Sequence, residues 1–365
     1  MKKPPSSLCG ATNQVSQSIP IYGVSHHWLG QKIWTFSGRK VGFSSQSSCL
    51  AISGGVGGAK LALGLAHILE PGTLTIAGNT GDDFVHLGFF ISPDLDTVMY
   101  TLADLNNKEL GWGQAGESWN FLDAVTRLGG DSWFRLGDRD IGTHVIRTQM
   151  LVAGKSLSEV TSHLCRQVGI KHRLVPMTDD PVATIVHTRT GEKLAFQHYF
   201  VRDECRPEVT GFAFSGIDAA KPAPGFSEAL ADTSLAAVVV CPSNPFVSVD
   251  PVFRLPGVMD AVASSKAAVI AVSPIVGGQA LKGPAAKMMA ELGMPQTALA
   301  VAEHYARQYS GQVHGFVLDE QDRRFRDEVE LLGLSTIVTN TVMVTLQDRI
   351  NLAEAVLDFS SEITP

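Results

Sequence analysis

From Cys49 onward the chain alternates between short apolar runs and longer stretches whose apolar residues recur at helical spacing. "CLAIS", "GTLTIAG", "LAAVVVC", "AAVIAVS", "GFVLDE" and "STIVTN" are short, apolar and mostly β-branched. That is the mark of strands buried on both faces of a parallel sheet. "GAKLALGLAHILE", "GPAAKMMAELG" and "TALAVAEHYARQY" read as helices between them. The alternation predicts an α/β fold, a doubly wound, mainly parallel Rossmann-like sheet. The middle of the chain departs from it. Residues 94–175 read mostly as helices, and "PVATIVHT", "TGEK" and "LAFQHYF" as a β-hairpin turning at Gly191. We therefore expect a nucleotide-binding core from 49–93 and 230–360, and a mostly helical insert with a small β-hairpin piece over 94–229 that covers an acceptor. Residues 1–48 are rich in Ser and Gln without apolar periodicity and read as an unstructured extension.

Composition narrows the class. Hydrophobic residues make up 44% and charged residues 18%, a globular balance. A formal charge of −7 gives no basic surface and argues against nucleic acid as a partner. No apolar run reaches membrane-spanning length, and the N-terminus has no apolar core of a secretion signal. The five cysteines are odd in number and form no CxxC pair, so we read them as reduced thiols in a cytoplasmic protein.

Small, polar and glycine residues follow the strands repeatedly, at the sheet edge where open α/β proteins bind ligands. After the first strand come Gly54, Gly55, Gly57, Gly58 and Lys60. A dinucleotide fingerprint fails at its third glycine, which is Lys60, and the second strand ends at Gly78 and Asn79 with no acid where a ribose would be gripped. A Walker loop fails because Leu61 stands where a metal-binding hydroxyl is required. What both share remains: glycines let amides approach an anion, the helix start is positive, and Lys60 adds charge. A tight strand-to-helix turn with a surface lysine is the plainer alternative.

Residues 79–97, "NTGDDFVHLGFFISPDLDT", hold Asp82, Asp83, Asp94 and Asp96. Two carboxylates beside a phosphate suit Mg²⁺. Asp94, after Pro93, fits a helix N-cap, which leaves Asp82 and Asp96 for the metal. The pairs Asp138/Asp140 and Asp179/Asp180 read as caps and turns. Ser243 and Asn244 between prolines make a rigid polar turn, and Gly277 and Gly278 before Lys282 suit an anion or a base edge; ordinary turns at strand ends are the alternative for each.

"GGVGGAKL", "NTGDDFVHLG", "ISPDLDTVMYTL", "GWGQAGESW", "WFRLGDRD", "PMTDDPV", "CPSNPFVSV", "VSPIVGGQALKGPAAKMM" and "VLDEQD" resemble, in order from about residue 49 to 360, the 2-phospho-L-lactate transferase family of coenzyme F(420) biosynthesis. Residues 1–48 have no counterpart in it. The resemblance implies a Mg²⁺-dependent transfer. The donor is a three-carbon phosphoacid joined through a diphosphate to guanosine. The acceptor is the deazaflavin alcohol 7,8-didemethyl-8-hydroxy-5-deazariboflavin, whose ribityl hydroxyl attacks phosphorus as GMP leaves. By motif it implies that the backbone of Gly54 to Gly58 holds the diphosphate, that Asp82 and Asp96 carry Mg²⁺ and are catalytic, and that Asn79, Ser243 and Asn244 contact nucleotide or acceptor. Phospholactate, phosphoenolpyruvate and phosphoglycerate all remain open as the acid. A homodimer is common for such folds. Two other classes compete: a UDP-sugar-binding regulatory family with a similar glycine loop and no known catalysis, and a nicotinamide oxidoreductase, which the missing ribose acid disfavours.

Overall fold

The structure, a computed structural model, describes residues 43, 44, 46–280 and 283–363. The expected extension and Lys282 thus fall largely outside the described residues, but the end of the extension does not. Phe43 packs against the core, and the first strand opens at Ser48.

Seven strands build one parallel sheet: β1 (Ser48–Ser53), β2 (Leu74–Gly78), β3 (Arg173–Pro176), β4 (Leu235–Val240), β5 (Ala268–Val272), β6 (Gly315–Asp319) and β7 (Ser335–Thr339). Their spatial order is 3-2-1-4-5-6-7, the Rossmann order extended by one strand. β1 pairs through Cys49 with Leu74 of β2 and with Ala237 of β4. Six of these strands coincide with the apolar runs. The seventh, β3, comes from inside 94–229, so that stretch is not wholly an insert. It has four residues and ends in Pro176, which an edge strand tolerates.

Alternate residues of the central strands enter two cores. Leu50, Ile52, Val238, Val240, Val269 and Ala271 face one; Cys49, Ala51, Ala237, Val239, Ala268 and Ile270 face the other. Period-two side chains buried on both faces explain why the strands read as unbroken apolar runs.

Helix α1 (Gly55–Ile68) follows β1, and α2 (Pro93–Leu102) follows a short hairpin of Phe84–His86 and Phe89–Ile91. The helical middle is α3 (Asn120–Arg127), α4 (Asp138–Val152) and α5 (Leu157–Gln167). A Ser156/Glu159 capping box starts α5. The expected hairpin turns at Gly191, φ +84°, between Ala183–Thr188 and Lys193–Ala195. It is shorter than read: after Ala195 the chain winds into a π-helical turn, His198–Arg202, which buries Tyr199 completely. A third strand, Val209–Ser215, completes that small antiparallel sheet.

Candidate active site

β1 and β4 are neighbours whose connections run to opposite sides, which makes their carboxyl ends the switch point of the sheet. A cavity of about 610 Å³ opens there, within the usual size of small-molecule sites. Its polar part is lined by Gly54, Gly55, Gly57, Lys60, Asp82 and Asp94, with Ser243 and Asn244 from the loop after β4. Its apolar part is lined by Trp112, Trp133, Phe134, Phe196 and Phe200, with Arg135 among them.

The glycine turn is shaped by what packs on it. Gly55 has φ +64°, a left-handed conformation that glycine adopts without a steric penalty. At Gly57 a Cβ would stand 2.3 Å from the carbonyl oxygen of Pro242, so α1 begins in direct contact with the loop after β4. Gly58 is buried in α1 and is not among the lining residues. The Ser243 hydroxyl ties this contact: it accepts from the Gly54 amide at 3.0 Å and donates to the Gly54 carbonyl at 2.8 Å. The Gly55 amide donates to Asp94 Oδ1 at 2.6 Å. Two of the first-turn amides are therefore taken by side chains, whereas Val56 and Gly57, also on the cavity wall, have no intrahelical carbonyl within reach. Lys60 lines the cavity with its Nζ 3.0 Å from the carbonyl of Met343.

The aspartates distribute differently from the sequence expectation. Asp94 does not cap its own helix. Its Oδ2 accepts from the Asn79 side chain at 2.9 Å, and Asn79 Oδ1 in turn accepts the Gly81 amide at 2.9 Å. Asn79 is not on the cavity wall; it holds Asp94. Asp96 also lies off the wall. Both its oxygens are held by the buried Arg147 guanidinium of α4, Oδ2 at 2.9 Å from Nη1 and Oδ1 against Nη2. The reason is helical geometry: positions i and i+2 point to different faces, so Asp94 and Asp96 cannot both meet one cavity. The structure puts Asp94, not Asp96, on the wall with Asp82. Asp83 turns away and accepts the Ser92 hydroxyl at 2.7 Å.

Burial raises Asp82 well above the usual carboxylate range, with repulsion from Asp94 and Asp83 adding to it. Burial also pushes Asp94 up, to about 6, against the opposing hydrogen bonds from Asn79 and Gly55. Asp82 Oδ1 is buried with no hydrogen-bond partner. Two buried carboxylates on one wall, one with an orphaned oxygen, are a fitting donor set for a hard divalent cation. Among the described residues no group of three or more His, Cys, Asp or Glu side chains is placed to hold a metal. Waters or ligand oxygens would have to complete the coordination, as Mg²⁺ prefers.

The remaining candidates also make contacts within the fold. Asn244 Oδ1 accepts the Phe246 amide at 3.0 Å and starts the turn that follows it, although the residue also lines the cavity. Gly277 (φ +56°) and Gly278 (φ +82°) form the tight turn between Ile275–Val276 and Gln279–Ala280, and the Gly277 amide donates to buried Asp322 at 2.9 Å. Neither glycine is among the residues that line the cavity, although Val276 and Gly283 on either side are. Asp179 accepts the Ser158 amide at 2.6 Å and Asp180 the Lys221 amide at 2.9 Å, a cap and a turn.

"GWGQAGESW" and "WFRLGDRD" prove to be partners. Asp138 accepts from the Ser118 hydroxyl at 2.6 Å and the Phe121 amide at 3.0 Å at the start of α3. Glu117 accepts the Arg139 and Asp140 amides, at 2.7 and 2.9 Å, at the start of α4. Each helix start is capped by the acid preceding or opening the other. The pair fixes the two segments that bring Trp112, Trp133, Phe134 and Arg135 to the cavity. No individual aromatic there was singled out in the sequence, because an aromatic residue carries no sign of which surface it will face. Arg147 was missed for the same reason.

A Rossmann-type sheet and a switch-point cavity lined by a glycine turn, two buried acids and several aromatic rings define an α/β protein with a small-molecule site that is both polar and aromatic. The chain belongs to the 2-phospho-L-lactate transferase CofD family, whose model matches residues 49–342. It is therefore a transferase of a family that works in coenzyme F(420) biosynthesis on a deazaflavin acceptor and a nucleotide-linked donor. It is 39% identical to the phosphoenolpyruvate transferase of Streptomyces griseus over 86% of this chain and 98% of that one. It is 40% identical to the protein of that name from Thermobifida fusca over 75% and 86% of the two chains. Among solved structures, a UPF0052-family protein from Bacillus halodurans superposes with a TM-score of 0.59 at 14% identity, covering 88% of this chain and all of that one. That likeness shows the fold alone. No helix among the described residues is long and apolar enough to cross a membrane.

Proposed function

We propose that this protein transfers a phosphoenolpyruvate group from a guanosine-diphosphate-linked donor to the ribityl hydroxyl of 7,8-didemethyl-8-hydroxy-5-deazariboflavin, releasing GMP. The observation that carries the reading is one cavity lined both by the glycine turn, Lys60 and two buried acids and by a set of aromatic rings. The names of the relatives from Streptomyces and Thermobifida favour phosphoenolpyruvate over phospholactate or phosphoglycerate.

In this reaction the diphosphate lies on the Val56 and Gly57 amides and beside Lys60. The acceptor oxygen forms a bond to the phosphorus that bears the three-carbon acid. The bond from that phosphorus to the bridging oxygen of GMP breaks, and the hydroxyl proton is released. Asp82 and Asp94 would hold Mg²⁺, which when bound neutralises charge on the reacting phosphate. Asn79 and the Gly55 amide keep the Asp94 carboxylate aimed at the cavity. The aromatic lining removes water from the acceptor ring and orients it, so that positioning and electrostatics supply most of the rate.

The test offers the guanosine-linked forms of phosphoenolpyruvate, phospholactate and phosphoglycerate, each with the deazaflavin alcohol and Mg²⁺, and identifies products by mass spectrometry. The expected result is the enolpyruvyl phosphodiester and GMP, formed fastest from the first donor. A faster reaction with another donor overturns the choice of acid, and absence of product from all three overturns the reaction.

A further inference from the structure

We infer that Arg135 receives the carboxylate of the three-carbon acid and so selects the donor; this rests on the reaction proposed above. The cavity wall carries two cationic side chains among the described residues, Lys60 and Arg135. They occupy different parts of it. Lys60 stands in α1 beside the glycine turn with its Nζ on the Met343 carbonyl. Arg135 follows Trp133 and Phe134 at the aromatic part, and its side chain is exposed to the open space.

The two cations suit different anions. A lysine ammonium is a compact point charge, adequate for a phosphate oxygen. A guanidinium is a planar fork whose N–H groups lie in its own plane and match a carboxylate bidentately. In Arg135 that fork is already oriented: its central carbon lies over the Trp119 ring, 4.3 Å from the centroid. A guanidinium lying flat on the ring would keep its edge for a ligand. Among the described residues no carboxylate is ion-paired with it.

The shape of the donor decides which anion arrives there. With the diphosphate on the glycine turn, the far phosphorus must reach the acceptor hydroxyl, and the acceptor ring needs the aromatic part. The three-carbon acid sits on that far phosphorus, between the diphosphate and the acceptor, and apart from Lys60 the cation on the cavity wall among the described residues is Arg135. GDP and GMP lack this carboxylate, whereas donor and product both keep it. Arg135 therefore discriminates a charged donor from a bare nucleotide and stays engaged through the transfer.

The experiment compares the full-length protein with Arg135→Gln and Arg135→Lys, and the natural donor with one whose carboxylate is a primary amide. A charge-assisted bidentate pair predicts that Arg135→Gln raises KM for the acid donor about 10- to 100-fold. Arg135→Lys should recover part of that loss. Affinity for GDP, by calorimetry, and for the deazaflavin, by fluorescence, should stay unchanged in both. The amide donor should be as poor with the unmodified protein as the acid donor is with Arg135→Gln, and Arg135→Gln should lose little further on it. A normal KM for the acid donor in Arg135→Gln, or an equal loss on both donors, overturns the assignment. If Arg135→Gln does not fold, Arg135→Lys against the two donors decides alone, since a lysine with normal KM and normal discrimination excludes a bidentate role. Failure of the reaction itself would show differently, as an unmodified protein that turns over neither donor while still binding GDP.

Discussion

The carboxylate of Asp94 accepts the amide of Gly55 at 2.6 Å. A single side chain thus joins the start of α2 to the start of α1, and the acid that read as a cap for its own helix serves another element. The relationship places a negative charge at the glycine turn, where a cation would have to lie between it and a bound diphosphate.

The first prediction separates Asp94 from Asp96. Asp94→Asn keeps size and removes a cation-binding charge, so turnover should fall at least about 100-fold, with a modest drop in melting temperature because an Asn side chain can accept only one of the hydrogen bonds from Gly55 and Asn79. Asp96→Asn leaves the buried Arg147 without its counter-charge, which costs about 3–5 kcal/mol. Its melting temperature should drop markedly while protein that remains folded in the cold keeps most of its turnover and its Mg²⁺ dependence. Thermal melts beside turnover measured against Mg²⁺ concentration check both. A stable Asp96→Asn with abolished turnover would return the metal to Asp96.

The second concerns the glycine turn. A methyl group at Gly57 meets the Pro242 carbonyl at 2.3 Å, and neither is a mobile side-chain end. Gly57→Ala should therefore yield little folded protein. At Gly55 an added Cβ makes only an ordinary contact, 3.8 Å from Asp94 Oδ1, so the φ of +64° costs Gly55→Ala about 1 kcal/mol and the variant should fold. Soluble yield and circular dichroism of the two variants give the comparison; a well-folded Gly57→Ala would mean that the loop after β4 yields.

Much of this arrangement was legible beforehand. Strands such as "LAAVVVC" announce themselves because a parallel sheet buries both faces, and the turns after them pointed to the sheet edge where the cavity opens. β3 escaped because four residues ending in proline carry little pattern. The position of Asp96 off the cavity wall was not legible, because local capping preference weighs only neighbours in sequence, whereas the Arg147 that holds Asp96 is 51 positions away. The capping exchange between Glu117 and Asp138 is likewise set by two helix starts meeting in space.

A third prediction follows from that exchange. Hydrogen bonds from Ser118, Phe121 and Asn120 hold the Asp138 carboxyl down at about 2. A depressed carboxyl contributes stability that is present above its unfolded value, about 3.9, and is lost as pH falls towards the folded value. The melting-temperature advantage of the unmodified protein over Asp138→Ala should be constant from pH 7 to 5 and narrow below about pH 4. An advantage that persists undiminished at pH 3 would show that packing, not the ionised cap, carries it.

The last prediction addresses the flat end of the cavity. Trp133 lines it and is held by edge contacts, with its ring centre 5.0 Å from both the His86 and His198 rings and 5.8 Å from that of Phe134. Rings fixed in this way offer a preorganised apolar face, and loss of one aromatic contact is worth about 1 kcal/mol beyond the buried area. Trp133→Ala should weaken deazaflavin binding about 10-fold or more, read directly from the fluorescence of the ligand. GDP affinity should be unaffected, because the proposed transfer puts the nucleotide on the glycine turn. Trp133→Phe should recover much of the loss, since it restores a ring without the indole N–H. The variants also distinguish ring contact from general loosening: a destabilised cavity would weaken GDP and deazaflavin together and lower the melting temperature in proportion. Unchanged deazaflavin affinity in a folded Trp133→Ala would move the acceptor off this wall, and with it the division of the cavity on which the proposed transfer depends.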